Sequence, residues 1–206
     1  MAAMTSAGLP NREAEELRIL TVALRLNAVM FVVGLVAGLL AESVGLLADS
    51  LDMLADALAY GLSIAAVGRA PMFKARIATI SGTLLLLLGG GVLVDAVRRV
   101  WTGSEPESAV MMAVAAVSLV VNAIVIRMLA RFRKGEVHLR AAWLFTRADV
   151  VANVGVILSG VLVLISRSRL PDIVVGAAIG LYVMREALEI LRRARRARAE
   201  DATSGT

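Results

Sequence analysis

The sequence predicts an all-α integral membrane protein, a bundle of six transmembrane helices, and three observations carry that expectation. Of the 206 residues 59% are hydrophobic while only 4% are aromatic, against roughly 45–50% apolar residues in soluble domains. The excess is Leu, Val, Ala and Ile, and the mean hydropathy is +0.80. Six apolar runs each reach the roughly 20 residues that cross about 30 Å of hydrocarbon. Lys and Arg, finally, concentrate on alternate connections between those runs.

The runs cover 19–40, 44–67, 75–97, 109–129, 141–165 and 170–191. Hydrocarbon cannot solvate free backbone groups, so spans of this length are expected as helices. The first two are joined only by Ala41, Glu42 and Ser43, short enough to force an antiparallel hairpin. The second run is the least apolar because it carries Asp49, Asp52 and Asp56. Pro71, Pro106 and Pro171 mark the connections before the third, fourth and sixth runs. Gly34 and Gly38, and Gly176 and Gly180, have the four-residue spacing that lets membrane helices approach closely.

Residues 1–18 form a short N-terminal segment whose Glu13, Glu15 and Glu16 argue against a signal peptide. The transmembrane domain is expected over 19–195 and a polar tail over 196–206, where no soluble domain fits. One side of the membrane receives fifteen Lys and Arg, from Arg12 through the Arg192–Arg198 cluster, and the other receives Arg98, Arg99, Arg167 and Arg169. Basic loops stay cytoplasmic, so both termini are expected in the cytoplasm. The net charge of +5 is then explained by topology and anionic headgroups, with no nucleic-acid partner required. The absence of cysteine excludes disulfides and thiolate metal sites, and a lone His138 excludes a His-rich zinc site within one chain. His138 lies in a basic loop and reads as a surface residue.

Chemistry is carried by acids inside the apolar runs, each costing about 2.5–3.5 kcal/mol to insert. Asp49, Asp52 and Asp56 are spaced to lie on one helical face, where carboxylates repel unless a proton or a cation sits between them. Asp52 and Asp56 can converge on one ion. Counted from opposite ends of their spans, Asp52 and Asp56 lie about 12–18 Å deep and Asp149 about 12 Å deep, so all three meet near the midplane, where alternating-access transporters hold substrate. Asn153, one turn from Asp149, adds a neutral oxygen. Arg147 is two residues from Asp149 and points elsewhere. Asp95 lies near Arg98 and Arg99, which leaves a structural ion pair open, and Asp49 is equally open to a packing role. Asn27 and Asn122 read most simply as interhelical hydrogen-bonding groups.

The stretch ESVGLLADSLDMLADA at 42–57 resembles the second helix of the cation diffusion facilitator family. His138, Leu139, Arg140, Ala141 and Ala142, leading to Asp149, are similar to that family's approach to its fifth helix. The likeness extends over about 19–195. It implies a tetrahedral transport site with ligands at Asp52 and Asp56 from helix two and Asp149 from helix five. The fourth ligand position falls on Phe145, which cannot bind a metal, so Asn153, Asp49 or water would have to complete the shell. The family's C-terminal metal-sensing domain has no counterpart in this sequence. The resemblance further implies a homodimer through the third and sixth helices, in the plasma membrane.

These readings converge on a transporter that exports a divalent cation from the cytoplasm in exchange for protons, with no resident cofactor and no catalytic residues. An all-oxygen shell favours Mn²⁺ or Fe²⁺, with Zn²⁺ and Co²⁺ still in contention. Two other classes fit part of the sequence. A CDP-alcohol phosphatidyltransferase also clusters aspartates in six helices, but Met53 follows Asp52 where that pattern needs Gly, and after it no Arg occurs until Arg69. A non-transporting partner subunit would account for Phe145.

Overall fold

The computed structural model describes residues 9–65, 71–130 and 137–204, with side chains over 14–65, 72–73, 75–130 and 146–199. Six helices follow one another: α1 (Leu9–Leu40), α2 (Val44–Ala65), α3 (Pro71–Thr102), α4 (Ser108–Leu129), α5 (Val137–Ser166) and α6 (Leu170–Ser204). Five contain one predicted apolar run whole, and α2 covers its run of 44–67 up to Ala65, residues 66 and 67 lying outside the described ones. Four of them run further than predicted at their polar ends, because a helix can continue into water beyond the hydrocarbon. The segment preceding the first run is continuous with α1 from Leu9, and α6 carries the Arg-rich stretch through Ser204.

Four helices are long and apolar enough to cross a membrane: α1, α3, α4 and α5. In α2 and α6, any stretch of 18 residues holds at least three charged side chains. That difference reflects position in the bundle. Fourteen of the 22 residues of α2 are buried, including all three of its aspartates, and α2 touches every other helix. It is the central helix. Around it, α1 packs on α2, α4 on α5, and α3 against α6. The lipid-facing surface is apolar, with Ile80, Leu87 and Val94 on α3 and Val151 and Leu158 on α5 all exposed.

Contacts at the helix ends establish alternating directions. Glu107 N–H bonds the Ala41 carbonyl, and Arg169 reaches the Val100 carbonyl at 3.2 Å, so the 41–44, 100–108 and 167–172 ends lie together. At the other end Arg198 donates to Thr79 at 3.0 Å. Accordingly α2 and α6 run parallel.

The turn into α2 is held unusually firmly. Glu42 takes a left-handed φ of 48°, which frees Ser43 to cap the helix: its Oγ accepts the Leu46 N–H at 3.0 Å and donates to Asp172 at 2.6 Å. Asp172 also accepts the Val44 and Gly45 N–H groups at 2.7 and 2.9 Å, satisfying donors that a helix start otherwise leaves free. Close approach here requires glycine. A Cβ on Gly176 would sit 2.5 Å from the Val44 carbonyl carbon, and one on Gly38 2.9 Å from the Leu47 nitrogen. Both four-residue glycine spacings are thus used inside the chain: Gly34 and Gly38 bring α1 against α2, while Gly176 meets α2 and Gly180 faces Leu93 of α3.

Candidate metal site

Asp52 and Asp56 are one turn apart on the buried face of α2, and Asp149 projects from α5 to meet them. The Asp149 carboxyl makes side-chain hydrogen-bond contact with both Asp52 and Asp56. All three are almost completely buried. Tyr60, one turn further along α2, donates to Asp56 Oδ2 at 3.1 Å and shares a 3.0 Å hydrogen bond with Thr146 of α5. The site therefore joins α2 to α5 through three carboxyls and the Tyr60–Thr146 hydroxyl pair.

Two carboxylate oxygens, Asp52 Oδ2 and Asp149 Oδ2, are buried without a hydrogen-bond partner. A buried anionic oxygen facing only other carboxylates is strongly unfavourable, so a proton or a cation is needed between these groups. As the side chains stand, no three His, Cys, Asp or Glu groups among the described residues are arranged to hold a metal ion. Instead the acids contact one another directly, the geometry of carboxyls that share protons.

Of the five residues expected at the site, Asp52, Asp56 and Asp149 meet, and Asp49 and Asn153 form a pair beside them. Asp49 and Asn153 bond each other through Asn153 Nδ2, one turn closer to the start of α2 than Asp52. Ser118 of α4 is buried nearby, and Asn122 donates to Asn153 Oδ1 at 3.1 Å. This forms a buried polar network across α2, α4 and α5, beside the trio. Asn122 makes the expected interhelical bond. Asn27 does not: its Nδ2 donates to Ala23 one turn back in α1, at 3.0 Å, since a side chain of this length can bond its own helix.

Asp95 is an ion-paired residue, bonded to Arg98 at 2.7 Å and Arg99 at 2.5 Å, and Arg99 also donates to the Glu42 carbonyl. Arg147 is exposed while Asp149 is buried, so the two face different surroundings. The side chains of Phe145 and His138 lie outside the described residues. Sequence reasoning passed over Glu186 of α6, which is partly buried and close enough to act electrostatically on Asp52 and Asp56. Its signal was present, since it is an acid inside an apolar run, as Asp95 is.

A family model described as the cation efflux transmembrane domain matches residues 20–197. Two curated relatives, the metal cation efflux system protein CzcD of Cupriavidus metallidurans and the cation efflux system protein CzcD of an Alcaligenes species, are each 28% identical over 179 residues. The alignment covers 81% of this chain and 57% of each relative. The chain thus spans little more than half the length of those proteins.

Proposed function

Because this chain belongs to the cation efflux family, we propose that it moves a divalent metal cation out of the cytoplasm, in exchange for protons, through Asp52, Asp56 and Asp149. Members of that family are transporters, which argues against the phosphatidyltransferase reading. The observation that carries the site is the meeting of three buried carboxyls from two antiparallel helices, with one oxygen on each helix lacking any partner.

The physics of exchange follows from that arrangement. Carboxylates must be ionised to bind a cation. When the ion leaves, the same oxygens repel, and protons relieve the repulsion by bridging them, as the acid-to-acid contacts permit. Metal and proton then occupy one set of atoms by turns. Tyr60 and Thr146 steady Asp56 without adding charge. Asp49 and Asn153 serve the neighbouring network in this arrangement and remain the oxygens nearest in sequence to complete a shell. The substrates we favour are ions that accept oxygen ligands: Mn²⁺ and Fe²⁺ first, then Zn²⁺ and Co²⁺.

With the basic connections in the cytoplasm, Asp149 is approached from the inside along α5 and Asp52 from the outside along α2. The protein is proposed to reside in the plasma membrane as a homodimer, using the exposed faces of α3 and α6. Purified protein in vesicles, with an imposed proton gradient and Mn²⁺ or Zn²⁺ on one side, tests the reading. Gradient-driven uptake without any second protein supports it and removes the partner-subunit alternative; uptake equal to that of Asp52→Asn and Asp149→Asn vesicles overturns it.

A further inference from the structure

We propose that Glu186, from α6, is a fourth anionic ligand of the cation site, supplying from a third helix the oxygen that a phenylalanine at position 145 cannot. This rests on the function proposed above and specifies who completes its shell.

The register of α6 on α2 places Glu186 at the right depth. The two helices run parallel and touch where Gly176 packs on Val44 and Gly45, and Asp172 bonds the same two residues. Ten residues on from Gly176 is Glu186, about 15 Å along the axis. Asp52 and Asp56 lie eight and twelve residues on from Val44, about 12 and 18 Å. Glu186 therefore stands level with the gap between them. The residues that flank it on α6, Val183 and Ala187, are buried in the same apolar cluster as Leu51 and Ala55, the α2 residues beside the aspartates. That packing fixes the turn of α6 that carries Glu186 against the site.

The local chemistry agrees with the placement. Glu186 is close enough to Asp52 for its charge to be felt there, alongside those of Asp56 and Asp49. Tyr182, one turn back on the same helix, lies beside it and brings no positive charge to compete with an ion. Asp52 Oδ2 and Asp149 Oδ2, both unpartnered and buried, mark where an ion would be gripped. A stem one methylene longer than that of aspartate suits a ligand reaching from the more distant helix.

The test is Co²⁺ binding to the full chain in detergent, followed by affinity and by the visible absorption of the bound ion, which reports its ligands. Four variants are compared: Asp52→Asn, Glu186→Gln, Glu186→Asp, and Glu189→Gln, the last an exposed acid paired with Arg193 at 2.5 Å. Glu186→Gln is expected to weaken binding about tenfold or more and to change the absorption band. Glu186→Asp should fall between it and the wild type, and keeps the test open if the glutamine variant does not fold. Glu189→Gln should stay within about twofold of wild type. Wild-type affinity and spectrum in both Glu186 variants, with binding lost in Asp52→Asn, would overturn the role of Glu186 and leave the aspartate site standing. An equal loss in Glu189→Gln overturns it as well, since remote charge then suffices. Unchanged binding in Asp52→Asn overturns the site and Glu186 together.

Discussion

The carboxylate of Asp172, at the start of α6, accepts the backbone N–H of Val44, the first residue of α2, at 2.7 Å. Its other bonds, to Gly45 N–H and Ser43 Oγ, make this one side chain the cap of the central helix. Removing it leaves buried donors unpaired, at a cost of about 1–3 kcal/mol. Asp172→Ala is expected to lower the melting temperature in detergent by several degrees, about 2–4 °C per kcal/mol for a chain of this size. Because the cap also sets the depth of α2 against α6, metal affinity should fall with it. Asp172→Asn, which retains one acceptor oxygen, should lose less on both measures.

The two groups of polar residues between α2 and α5 should separate by mutation. Asp52→Asn and Asp149→Asn remove a ligand from the proposed site but relieve a crowded set of acids, so transport should fall by at least about 100-fold while the melting temperature holds or rises. Asp49→Ala has the opposite balance. It strands the Asn153 amide donor in the interior, which should cost about 1–3 kcal/mol of stability and reduce Mn²⁺ uptake far less than Asp52→Asn does. Thermal melts and vesicle uptake, measured on the same preparations, check both halves.

Why some of this was legible in the sequence and some not has a physical answer. Hydrocarbon makes an ionisable side chain expensive wherever it occurs, so Asp52, Asp56 and Asp149 stood out without any knowledge of neighbours, and helix geometry supplied their depths. The pairing of Asp49 with Asn153 beside that trio depends on how α5 and α4 are rotated to present Asn153 and Asn122, which no periodicity within α2 or α5 encodes. Asp172 was hidden for a different reason. At a helix start an acid looks like a local first-turn residue, whereas here it caps a helix 128 positions earlier in the chain. Glu186 was visible as an acid in an apolar run; what was missing was the register, and that depends on the Gly176 contact with Val44.

The glycines make an internal control for packing. Gly176→Ala drives a methyl into the Val44 backbone, where the nearest atom lies at 2.5 Å, and Gly38→Ala meets the Leu47 nitrogen at 2.9 Å. Neither obstacle is the flexible end of a side chain, so each substitution should cost about 1–3 kcal/mol. Gly90 and Gly91 on α3 have nothing within 4 Å of a Cβ, and alanine there should raise stability by up to about 1 kcal/mol through helix propensity. Melting curves of the four single variants are expected to fall into those two classes. In the proposed homodimer the open side of α3 is the seam, so Gly91→Leu should shift the purified protein from dimer to monomer mass in light scattering while its fold is kept.

Proton and metal competing for the same oxygens make a quantitative prediction with a definite sign. Binding requires ionised carboxylates, so an arriving ion must expel whatever protons bridge Asp52, Asp56 and Asp149. Adding Mn²⁺ to weakly buffered protein should therefore acidify the solution, by at least about one proton per ion bound. Affinity should weaken as pH falls through the range where those protons bind and level off above it. Asp149→Asn breaks both acid-to-acid contacts, since Asp149 is the member that touches each of the others, and should release fewer protons per ion than Asp49→Asn, whose residue lies in the adjoining network. A pH-indicator titration alongside calorimetry measures the ratio directly. Metal binding with no proton release at any pH would mean that the carboxyls meeting between α2 and α5 are not where the ion goes.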